Sequence, residues 1–188
     1  MVQKVKNILL YAGVDRLSFN EVAAKINETN RNMVTAASSI AVILLSVMFY
    51  ASFQSLGFDQ NRVVYGFGLV TSIVTLILSV TLAKKYEIIA TALVHVAYAI
   101  YYLYGIMIGI VTDPDGKTVT FIALLVFMPI IFICRPICVL GITSFYVTYF
   151  VILCICFKSG NVMSVDIVDA IIFGILGTAC SIVVNSDS

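Results

Sequence analysis

The sequence predicts an all-α integral membrane protein, with six transmembrane helices preceded by short amphipathic surface helices. Three observations carry this reading. Charged residues make up 11% of the chain against 61% hydrophobic ones, and mean hydropathy is +1.08; a soluble domain carries about 25% charged residues. Six apolar segments follow one another from Met33 onwards. The links between them are so short that consecutive segments must run antiparallel. A net charge of +1 gives no basis for nucleic-acid binding.

The chain divides into a cytoplasmic juxtamembrane helical segment, 1–32, and a six-span transmembrane domain, 33–188. In the first part, Val5, Ile8, Leu9 and Ala12 share a face of a short helix, with Gly13 as its C-cap. Ser18-Phe19-Asn20-Glu21 then matches a capping box, in which Ser18 accepts from the Glu21 N–H and Glu21 reaches back. Phe19, Val22, Ala23 and Ile26 continue amphipathically. Two short helices are therefore expected at the membrane surface, the second leading into the first span. The apolar run Ile8–Ala12 is too short for a signal peptide.

Span 1 is placed at Met33–Leu56, span 2 at Val63–Ala83 and span 3 at Ile88–Val111. Span 4 is placed at Val119–Cys134, span 5 at Ile137–Phe157 and span 6 at Ile167–Val184. About 20 helical residues cross a hydrocarbon core of about 30 Å. Span 4 is short and contains Pro129, which predicts a kink. Eight basic residues (Lys4, Lys6, Arg16, Lys25, Arg31, Lys84, Lys85, Arg135) fall on one side, against three (Arg62, Lys117, Lys158) on the other. That bias puts both termini in the cytoplasm. No repeat relates the two halves, so an inverted-repeat transporter is not suggested.

The chain is organised around span 3. Thr91, His95, Tyr98, Tyr102, Gly105 and Gly109 recur at spacings of four and three and share one helix face. The polar half, Thr91, His95, Tyr98 and Tyr102, should point into the bundle, because polar groups facing lipid are costly. It is either a packing seam or the wall of a pocket for a small-molecule or lipid ligand. His95, the only histidine, should pair with a hydroxyl. Gly105-x-x-x-Gly109 allows another helix to come close. Span 6 offers the same device in Ala170, Gly174, Gly177, Thr178 and Ser181, for intramolecular packing or for a homodimer seam.

Few residues suggest chemistry. Asp169 reads as an acid in the first turn of span 6, facing the helix dipole, or with Asp166 as an acidic outer mouth. Thr143 and Ser144 read as hydroxyls bonded back to their own helix. The five cysteines read as packing residues, and one histidine supplies no metal cluster. No cofactor is implied, and no catalytic motif appears.

Tyr11-Ala12-Gly13-Val14-Asp15, Phe19, and Glu28-Thr29-Asn30-Arg31-Asn32-Met33 at the entry to span 1 resemble the N-terminal region of multi-span receptors of clostridia-like bacteria. In those proteins about six spans precede a cytoplasmic output domain, often a diguanylate cyclase with a GGDEF motif and sometimes a histidine kinase. The resemblance covers roughly residues 11–33 and the span count. It implies a sensory or regulatory input module, with Ser18, Glu21, Glu28, Asn30 and Arg31 coupling the membrane domain to its output. Neither GGDEF nor a kinase motif occurs here, so catalysis would belong to residues beyond Ser188. Span 6 has no basic stop, which also suggests a longer natural chain. The alternatives are a small transporter or channel, and a structural assembly protein.

Overall fold

The computed structural model describes residues 16–54 and 59–186, the side chains at 16–22, 87, 185 and 186 excepted. Helix α1 is Arg16–Gln54, and a 3-10 turn, Asp59–Asn61, leads into α2, Arg62–Lys85. Helix α3, Glu87–Ile106, continues as a π-helical segment, Met107–Thr112. Helices α4, Val119–Ile131, α5, Pro136–Phe157, and α6, Gly160–Ser186, complete the chain. Five helices are long and apolar enough to cross a membrane, and α4 is a shorter apolar helix of 13 residues.

The entry segment differs from expectation. The expected helix over 1–15 lies outside the described residues. Ser18 does not cap a separate surface helix, because it lies inside α1, which runs unbroken for 39 residues across the 32/33 boundary. The physical reason is that no glycine or proline occurs from Arg16 to Gln54. At about 58 Å, a helix of that length outreaches the hydrocarbon core by several turns.

Pro114 helps to close the α3 end, and Asp113 Oδ1 accepts the Gly116 N–H at 3.0 Å in the turn that follows. Pro129 sits in the last turn of α4, and the chain is extended from Phe132, with Arg135 held extended before Pro136 at the start of α5. Span 6 begins seven residues before its predicted start. The link after α5 shrinks to Lys158-Ser159, and Gly160 (φ +60°) supplies the left-handed conformation that starts α6.

Helices α1, α2 and α3 pack on one another, α6 packs on α4 and α5, and α3 joins the two groups through α4. The buried small residues of α2 (Gly68, Ser72, Thr75, Ser79, Ala83) share one face, which at Gly68 meets both Tyr104 of α3 and Leu45 of α1. Thr35 Oγ1 donates to Ser79 Oγ across that seam at 2.9 Å. Where α3, α4 and α5 meet, the core is aromatic. The Tyr102 ring lies 5.6 Å from Tyr98, 5.8 Å from Phe121 and 5.3 Å from Tyr146, and Phe121 lies 4.6 Å from Phe150.

Candidate functional site

The polar strip of α3 is divided by the fold. Tyr98 and Tyr102 are fully buried. Tyr98 donates its phenol to Met128 O at 3.0 Å, a carbonyl in the last turn of α4. The hydroxyls of Tyr102 and Thr143 are buried neighbours without a well-aligned hydrogen bond, so Thr143 does not bond back to its own helix as expected. Thr91 and His95, by contrast, are exposed and line a cavity of about 310 Å³. They do not share the buried surroundings of Tyr98 and Tyr102, because the residues beside them belong to the extended α4–α5 link, which leaves a cavity.

That cavity sits where α1, the start of α3 and the α4–α5 link meet. Ala23, Ile26, Val94 and Ile133 make its apolar wall, and Asn27, Thr91, His95 and Arg135 supply polar groups. Thr91 Oγ1 donates to Asn27 Oδ1 at 3.0 Å. His95 Nδ1 lies 2.9 Å from Thr91 O, so the expected hydroxyl partner is replaced by a carbonyl on the same helix. A carbonyl only accepts, which puts the proton on Nδ1 and leaves Nε2 as acceptor in the neutral ring. Cys134 and Cys138 also border the cavity.

Asn30 closes the base of this site. Its side-chain amide donates to Ile133 O at 2.8 Å and accepts from Ile133 N at 2.9 Å. Ile133 lies in the extended break after α4, where its backbone groups have no helical partner. Asn30, only 4% exposed, satisfies both at once. Arg31 and Glu28 lie at the surface, 4.0 Å apart. The side chains of Ser18 and Glu21 lie outside the described residues.

The opposite end of the bundle holds a buried ionic node that the sequence reading missed. Lys158 Nζ lies 2.8 Å from Asp166 Oδ2, with side chains 0% and 2% exposed. Asp166 also accepts from Thr118 Oγ1 at 2.8 Å and from Thr118 N at 3.2 Å. Lys158 donates to Gly116 O at 2.5 Å, and Thr118 Oγ1 lies 3.2 Å from Gly109 O. Asp166 is therefore not part of an acidic outer mouth. Asp169 is the tenth residue of α6 rather than a first-turn acid, and it borders a groove with Lys117 and Phe173. The clue was available: Lys158 and Asp166 stand at the two ends of the link expected between spans 5 and 6, so one opposite-charge pair flanks it.

The glycine seams are intramolecular contacts. A Cβ at Gly105 would lie 2.9 Å from Phe121 Cα, and one at Gly109 would overlap Thr118. On α6, a Cβ at Gly177 would overlap Leu125 O, and one at Gly174 would lie 3.1 Å from Val147. Ala170 and Ser181 are fully buried on the same side.

The fold and the apolar lengths of its helices define a helical membrane protein. No family model, curated protein or solved structure matches this chain.

Proposed function

We propose that this chain is the membrane-embedded sensory or regulatory input module of a bacterial signalling receptor, and that the cavity beside His95 receives its small amphiphilic ligand. One observation carries the reading. The cavity is walled jointly by the juxtamembrane part of α1, the start of α3 and the α4–α5 break, so an occupant would bear on all three. Its volume of about 310 Å³ lies at the lower end of the range for small-molecule sites. The six-span reading accommodates α4, since 13 helical residues rise about 20 Å and an extended tail of four adds about 13 Å. Both termini then lie in the cytoplasm, where an output domain such as a diguanylate cyclase would follow.

A transporter is the second reading. It is favoured by the Lys158–Asp166 pair and by the interrupted helix at Phe132. Two features weigh against it. The pair sits at helix ends rather than at mid-bundle, and every hydrogen-bonding partner it has is structural. The test is a diguanylate cyclase domain fused after Ser188, with cellular cyclic di-GMP compared between the parent and His95→Ala at equal membrane levels. A changed output supports the input module. Identical output from His95→Ala and from Thr91→Val would overturn it.

A further inference from the structure

A second cleft opens on the other side of Asn27, with a volume of about 480 Å³. Lys25, Glu28 and Arg31 come to it from successive turns of α1, and Lys84 comes from the last turn of α2. Three basic side chains against one carboxylate leave two positive charges on its walls. Its floor is Ala24, Ala83 and Ala90, whose small side chains leave the space between the helices open. Arg31 is partly sheltered, with 23% of its side chain exposed; among the described residues its Nη2 approaches the more exposed Glu28 at 4.0 Å and donates to Asn32 Oδ1 at 3.4 Å. Both contacts are long and use the same nitrogen, so the rest of the guanidinium can engage a further acceptor.

We infer that this cleft binds a phosphate-bearing anion, supplied by the headgroup of an anionic phospholipid. The level of the cleft favours that source. Arg31 lies two residues before the apolar run that begins at Met33, and Lys84 is the penultimate residue of apolar α2. The cations thus stand where lipid headgroups lie, and basic pockets between helix ends at that depth suit lipid phosphates. A planar guanidinium engages two phosphate oxygens at once, while the two ammonium groups act as point charges. Alanines below the phosphate leave room for the glycerol backbone and the start of the acyl chains. This inference is independent of the cavity beside His95.

The experiment uses the whole chain in nonionic detergent, with native mass spectrometry reading retained lipid and melting temperature reading stabilisation. Phosphatidylglycerol, phosphatidylcholine and inorganic phosphate are added in separate arms. Phosphatidylglycerol should be retained and raise the melting temperature, and phosphatidylcholine should not. Lys25→Gln, Arg31→Gln and Lys84→Gln should each weaken retention about fivefold. Lys25→Arg and Lys84→Arg should retain lipid, and so should Lys85→Gln, which removes an adjacent charge outside the cleft. Stabilisation by inorganic phosphate that also displaces phosphatidylglycerol would overturn the lipid source in favour of a soluble phosphate. Equal retention of both lipids, or unchanged retention in the glutamine variants, would overturn the site itself.

Discussion

Replacing Asp166 by leucine should be among the most damaging single changes in this bundle. It strands the Lys158 ammonium and removes the acceptor for Thr118 N–H and Thr118 Oγ1. At 2.8 Å, an effective dielectric of about 20 gives an attraction of about 6 kcal/mol, from which desolvation of both ions must be subtracted. Removing one partner of such a pair costs about 3–5 kcal/mol, because the other charge stays buried. An ordinary hydrogen bond within a membrane bundle averages only about 0.6 kcal/mol, so the two cases are separable. In the double variant Asp166→Leu with Lys158→Met no charge is stranded. What remains is the Thr118 N–H without its acceptor, at about 1–3 kcal/mol, since Thr118 Oγ1 can still donate to Gly109 O at 3.2 Å. The double variant should therefore be more stable than Asp166→Leu alone. The chain has no tryptophan, so unfolding is followed by far-ultraviolet circular dichroism across a series of denaturing-to-neutral detergent ratios. Asp166→Leu within about 0.5 kcal/mol of the parent, or a double variant whose loss equals the sum of the singles, would refute the buried-pair reasoning.

Asn30→Ala should cost about 2–4 kcal/mol in the same assay, since it leaves Ile133 N–H and C=O without partners; a change below 1 kcal/mol would mean that water satisfies them, on the order expected for a solvated break. Gly177→Ala drives a methyl group into Leu125 O and should destabilise strongly, whereas Gly141→Ala meets nothing within 4 Å and should be neutral or stabilise by about 0.5–1 kcal/mol. Equal effects at the two glycines would contradict the α4–α6 contact. Reporter fusions after Gly57 and Gly116 should read as external and one after Lys85 as internal. An internal signal at Gly116 would break the six-span topology.

The helical membrane class, the positions of most helices and the closeness demanded by the glycine seams were legible in the sequence. Length, hydropathy and small-residue spacing act within one helix, so one helix's residues suffice to show them. Even there a signal went unused: Gly68, Ser72, Thr75, Ser79 and Ala83 form a small-residue face on α2. Local signals also misled. Ser18 to Glu21 has the chemistry of a cap, but a cap needs a chain that stops being helical, and nothing in α1 makes it stop. Asp166 and Lys158 look like loop charges when each is read beside its neighbours in sequence.

What the sequence determined by itself is a set of apolar helices, their order and the residues able to let backbones approach. Periodicity gave span 3 one polar face, and it could not say how far a neighbour covers that face. The tertiary structure decided that. Helix α4 is short and breaks at Phe132, so Tyr98 and Tyr102 are sealed in an aromatic core while Thr91 and His95 are left on a cavity wall. It also joined groups far apart in the chain: Asn30 to Ile133, and Asp166 to both Lys158 and Thr118. The reason is the bilayer-like environment such a bundle occupies. A backbone or charge that leaves the helix ladder away from water must find its partner within the protein, and that partner is chosen by packing rather than by proximity in sequence.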